Sequence, residues 1–106
     1  MAKYLITASY SADGLKGLHK DKASGRREAV RQACESVGGK LESFHLAFGE
    51  DDVVTIVDLP DNVAASALSL AVSATGLVRT RTTVMLTVEE ADRALAASVK
   101  FRGAGR

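Results

Sequence analysis

Apolar side chains along this chain recur first at every second position and then at helical spacing, and the switches between the two periods mark out its elements. Residues 3–9 are rich in β-formers and predict a first strand. Residues 11–19 follow as a short helical turn with Leu15 and Leu18 facing inward, in a region that Gly14, Gly17 and Gly25 weaken as helix. The main first helix is expected over 24–37. Val30, Ala33, Cys34 and Val37 fall on one face of it and Arg26, Arg27, Arg31 and Glu35 on the others; Gly38 and Gly39 end it. Residues 40–48 alternate as a second strand, with Phe44, Leu46 and Phe48 on one face and Ser43, His45 and Ala47 on the other. Residues 49–52 read as a hairpin turn and 53–59 as a third strand, which Pro60 stops. Asp61 or Asn62 then caps an Ala- and Ser-rich helix over 63–75 that Gly76 ends. Residues 77–87 form a fourth strand. Thr87-Val-Glu-Glu90 matches a capping box and opens a last helix to about 99, and a basic tail covers 100–106.

The order β-α-β-β-α-β plus a terminal helix is that of an α+β, ferredoxin-like domain over residues 1–99, with two right-handed crossovers. In such a fold both main helices cover one face of the sheet. A strand half exposed on the other face alternates apolar and polar residues. The third strand does not, since Val53, Val54, Ile56, Val57 and Leu59 leave only Thr55 and Asp58 polar; the fourth strand ends in Val84-Met85-Leu86. Leaving such side chains wet forgoes roughly 1.5–3 kcal/mol each. The pattern therefore predicts a cover for the open face. A second copy of the chain, packed sheet to sheet about a two-fold axis, supplies one; the terminal helix folding back supplies another.

Composition narrows the classes. A chain of 106 residues with 46% hydrophobic and 25% charged content is an ordinary single domain. A net charge of +1 and an aromatic content of 5% without Trp argue against nucleic acid and against an anionic membrane as partners. The single cysteine, Cys34, closes no internal disulfide and fits a reducing cytoplasm. The start of the chain has strand character rather than the long apolar run of a signal peptide.

Several residues invite chemistry, each beside a plainer reading. Gly49-Glu50-Asp51-Asp52 puts three carboxylates in one turn, but without the alternating spacers of a calcium loop; it reads as a soluble, self-bonded turn, and no metal site is expected. His45 sits mid-strand opposite Phe44 and Leu46, pointing to the open face for acid–base work or ligand binding, or simply toward solvent or a partner. Arg79 and Arg81, two apart on a strand, share a face and can clamp a carboxylate or phosphate. They can equally pair across an interface with Glu42, Asp52 or Asp58. Tyr4 and Tyr10 share a parity on the first strand and offer a phenol or core packing. His19 lies in the glycine-rich segment, exposed or on a flap. It lacks zinc-motif spacing with His45. Cys34, in the apolar stripe, reads as core rather than nucleophile. No phosphate loop, nucleophile elbow or dinucleotide fingerprint is present, so no cofactor is expected.

Tyr4-Leu-Ile-Thr7, Gly38-Gly39-Lys40, Gly76-Leu-Val-Arg-Thr80 and above all Gly49-Glu-Asp-Asp-Val-Val-Thr-Ile-Val-Asp-Leu-Pro-Asp61 resemble the GYD domain family of small bacterial and archaeal proteins. The last segment is similar to the family's Gly-x-Tyr-Asp, apolar strand and Pro-Asp, with Asp51 standing at the aromatic position. The resemblance implies a ferredoxin-like fold and oligomers like dimeric α+β barrels, in a family of largely unknown function. Together these readings predict a cytoplasmic, non-catalytic or accessory homo-oligomer binding a small organic or anionic ligand between facing sheets. The candidate residues are His45, Arg79, Arg81 and Tyr4. A small-molecule enzyme on the same scaffold and a purely structural assembly subunit are the alternatives.

Overall fold

A computed structural model describes all 106 residues. They form β1 (Ala2–Tyr10), α1 (Ala12–Ser36), β2 (Lys40–Leu46), β3 (Val53–Leu59), α2 (Asn62–Ser73), β4 (Val78–Met85) and α3 (Val88–Ala96). The four strands make one sheet in the order β2-β3-β1-β4 with every neighbouring pair antiparallel. This is the ferredoxin-like arrangement, with β1 and β3 at the centre and the crossover helices on one face.

Short-range chemistry sets most of the boundaries. The Ser11 hydroxyl accepts the Gly14 N–H at the start of α1, and an Asp61 carboxylate oxygen accepts the Ala64 N–H at the start of α2. The Thr87 hydroxyl accepts the Glu90 N–H while the Glu90 carboxylate accepts the Thr87 N–H, completing the expected capping box. The two expected helical pieces of the first crossover are present but abut at Lys22, whose φ of 66° and ψ of 166° kink α1. At the C-terminal end of α1 the two glycines serve different purposes. Gly38 has a φ of +83°, the left-handed conformation that terminates a helix, whereas a Cβ on Gly39 would lie 2.3 Å from the Asp58 carbonyl oxygen.

The second strand departs from expectation. It ends at Leu46, because the Ala47 N–H bonds the Asp52 carbonyl and closes the turn there. A bulge between Leu41 and Ser43 sets its register. Of the three side chains expected on its inner face, only Phe44 is half buried beneath the helix layer. Leu46 is 42% exposed and Phe48, at the turn, is fully exposed.

The core lies between sheet and helices and comprises Tyr4, Ile6, Cys34, Val57, Leu59, Ala65 and Leu68. Alternation along β1 and β3 puts Tyr4, Ile6, Ala8, Val53, Thr55, Val57 and Leu59 on the helix side, all of them buried. The Thr55 hydroxyl is satisfied there by donating to the Ile6 carbonyl. The helices do not close over this surface evenly. α1 packs chiefly against β2 and α2 chiefly against β4, leaving a groove above the two central strands.

α3 contributes no buried residue; Val88 and Leu95 are 73% and 84% exposed. The radius of gyration is 16.8 Å, against about 13 Å expected for a compact chain of this length, and the longest dimension is 57 Å. α3 therefore does not fold back over the sheet, which removes one of the two covers expected for the open face. No helix is long and apolar enough to cross a membrane.

Candidate functional site on the open sheet face

The register arranges the helix-free face in rows. His45 on β2 lies opposite Val54 on β3, Val54 opposite Thr7 on β1, and Thr7 opposite Arg81 on β4. One pleat away, Ser43, Ile56, Leu5 and Thr83 make a second row; beyond it lie Asp58, Lys3 and Met85, and on the other side Ser9 and Arg79. Side chains two residues apart on a strand point to the same face, so His45, Arg79 and Arg81 all stand on this surface, as the alternation predicts. They are not adjacent within one chain. His45 occupies one edge strand and the arginines the other, three strand spacings or about 14 Å away. Leu5, Val54 and Ile56 form a partly exposed apolar centre between them.

The charges at the two ends of the face are arranged differently. At one end the Lys3 ammonium bonds the carboxylates of Glu42 and Asp58, each at 3.0 Å. These bonds, that to Asp58 first, raise the Lys3 pKa above its ordinary value. Asp58 is buried, so the lysine compensates a carboxylate that the strand carries inside the rim of the sheet. At the other end the Arg81 guanidinium bonds the Asp51 carboxylate at 2.6 Å. Asp52 accepts the Tyr10 N–H at 2.8 Å, and the Ser9 hydroxyl donates to the Glu50 carbonyl.

The acidic turn Gly49-Glu50-Asp51-Asp52 is thus accounted for by bonds to β1 and β4. The carboxylates expected to be free for inter-chain pairing are engaged within the chain: Glu42 and Asp58 by Lys3, Asp52 by a backbone amide. Arg79 has no carboxylate partner. It borders an open basin of about 610 Å³ with Ser9, Ser11 and Ser73.

Tyr4 does not belong to this group. It is 1% exposed, on the helix side of the sheet, and its hydroxyl donates to the Asn62 side-chain oxygen at 2.7 Å. The even residues of β1 face the helices and the odd ones the open face, so Tyr4 and Arg81 are separated by the sheet itself. His19 is exposed on the first segment of α1 and joins no cluster. Cys34 is fully buried in the core, and burial pushes its thiol pKa up, with the Glu35 charge adding to the effect. A buried thiol held protonated is a packing group, not a nucleophile.

Two features escaped the sequence. The Lys3–Glu42–Asp58 cluster joins residues 39 and 55 positions apart, and only strand register brings them together. A lone Asp in the apolar run Val53–Leu59 is the one signal that a counter-charge had to arrive from a neighbouring strand. Asp51 as the partner of Arg81 is the second. The turn could be recognised, but which carboxylate folds over β4 depends on how the turn sits against the sheet.

Comparison with curated proteins and with solved structures finds no match. The family model of the GYD domain matches residues 4–95, which spans β1 through the end of α3 and includes the turn, the apolar third strand and Pro60-Asp61. With nearly the whole chain matched and its strand order ferredoxin-like, the protein belongs to the GYD domain family.

Proposed function

We propose that the protein is a non-catalytic homo-oligomer that binds a small organic anion between two sheets packed open face to open face. The observation that carries this reading is the unmatched composition of that face. Its centre, Leu5, Val54 and Ile56, is apolar and has no cover from the chain's own helices, while Arg79 at its edge has no carboxylate partner. Burying the apolar centre against a second copy contributes up to roughly 1.5–3 kcal/mol for each side chain. An arginine drawn into such an interface must meet an anion, water or a carboxylate, because an unpaired buried charge costs several kcal/mol. A two-fold axis also allows His45 of one protomer to approach the arginine edge of its partner, which the 14 Å spacing forbids within one chain.

Native mass spectrometry of the protein purified from its own host tests both halves together. An oligomer carrying a retained small anion, lost without loss of assembly in Arg79→Met/Arg81→Met, supports the reading. A monomer by light scattering at micromolar concentration refutes the assembly. An oligomer that the same double substitution dissociates points instead to arginines that serve only the interface.

A further inference from the structure

The groove on the opposite side of the sheet is a separate candidate. It is a half-open trough of about 160 Å³ above β1 and β3, between α1 and α2, and its lining is largely apolar: Ala33, Phe44, Val57, Leu68 and Val72 among others. A cavity of about 150 Å³ lined by aliphatic and aromatic side chains stays dry and accepts a single benzene ring. The helices leave this apolar surface of the central strands partly uncovered, so a ligand seated there would bury apolar area that the fold itself leaves open. The hydroxyls of Thr55, Ser69 and Thr80 are already engaged, with the Ile6 carbonyl, Thr82 and Ser73 respectively, while that of Tyr10, also in the lining, makes no hydrogen bond within the chain. The charged side chain lining the groove is Arg26. Its only bond is a long one of 3.4 Å to Asp21, across the kink at Lys22.

We propose that this groove is a binding site for a small monocyclic carboxylate, with the ring against the half-buried Val30, Phe44 and Val72 side of the lining and the carboxylate on Arg26. The volume suits a single ring. The apolar lining disfavours a sugar, most of whose hydroxyls would find no partners there. The guanidinium sets the charge, since it can exchange a long, partly exposed ion pair for two parallel bonds to a carboxylate. This site is independent of the open face. It lies on the other side of the sheet and shares no residue with Arg79, Arg81 or His45.

Benzoate is a suitable probe, with toluene and benzylamine as neutral and cationic controls. Titrated into the full chain and followed by methyl and amide NMR shifts, benzoate is expected to perturb Ala33, Val57, Leu68 and Val72 and to bind more tightly than either control. Arg26→Gln is expected to weaken benzoate by about ten-fold or more while leaving toluene unchanged. Ala33→Leu and Ala29→Leu each fill the groove from α1; whichever retains the native spectrum is expected to abolish binding, and Arg79→Met/Arg81→Met to leave it intact. Shifts confined to the open face, equal binding of benzoate and benzylamine, or no shift at millimolar benzoate would each overturn the proposal. So would a groove already filled by a second copy of the chain, seen as groove shifts on dilution of the full chain.

Discussion

Substituting Asp51 by Asn tests how this chain controls its own arginine edge. The change removes one negative charge and keeps the shape of the side chain. The Arg81–Asp51 pair is short at 2.6 Å, but the arginine is 64% exposed and the aspartate 21%. A pair in that setting contributes about 0–1 kcal/mol to stability, because solvent screens the attraction and holding two side chains in place costs entropy. The effect on anions is larger. An anion seated on Arg81 lies roughly 4 Å from the Asp51 carboxylate, where two like charges repel by about 1 kcal/mol in a water-like medium and about 4 kcal/mol at an intermediate dielectric. The exposure of Arg81 places the expected gain near the lower figure for each charge; sulfate carries two, so the gain is about 2 kcal/mol, roughly a thirty-fold rise in its affinity. The assay is a sulfate titration at low ionic strength, where screening is weakest, followed through the side-chain N–H signals of Arg79 and Arg81. Urea unfolding of the same samples reports stability. An affinity for sulfate that is unchanged or reduced would refute the idea that Asp51 competes with ligand. A stability loss above about 2 kcal/mol would show that the pair is structural.

Three further outcomes follow from the geometry. Cys34 is expected to react with thiol reagents only after unfolding. Burial raises its folded pKa, so the unfolded thiol ionises first and stability falls as pH climbs past about 8.5; fast native labelling, or flat stability across that range, would contradict the core assignment. Gly39→Ala is expected to destabilise more than Gly38→Ala, by about 1–3 kcal/mol in urea melts, because its Cβ meets a backbone oxygen at 2.3 Å and Leu59 at 2.5 Å, whereas Gly38→Ala incurs only left-handed strain; the reverse order would refute this. Glu90, whose pKa is lowered by the Thr87 backbone N–H, is expected to hold the start of α3 above its unfolded pKa and release it as pH falls through the lower folded value. Protection of α3 amides, taken relative to their intrinsic exchange rate at each pH, should fall on acidification and in Thr87→Ala, with the core strands unaffected; an α3 equally protected in both would show that something other than the cap holds it.

The sequence by itself determined what depends on neighbours along the chain. The apolar run of 53–59 between a turn and Pro60, and the helical period of Val30, Ala33, Cys34 and Val37, located β3 and the second part of α1. Pro60-Asp61 and Thr87-Val-Glu-Glu90 located two helix starts to within a residue. Alternation alone placed His45, Arg79 and Arg81 on the open face, and the turn and third strand carried the family resemblance. Tertiary structure decided everything that depends on register and on the spacing of layers. It put Tyr4 behind the sheet, because the parity it shares with Ile6 and Ala8 faces the helices. It ended β2 at Leu46 and turned Phe48 outward, because the turn closes on Ala47 and Asp52. It gave Lys3 two carboxylates and Arg81 one, from residues 30 to 55 positions away. It also splayed α1 and α2 to open the groove, and carried α3 off the sheet. Period and caps are encoded in a few consecutive residues. Pairing across strands and gaps between helices are set by the whole packing arrangement, in which a bulge at one residue or a kink at another redirects every side chain that follows.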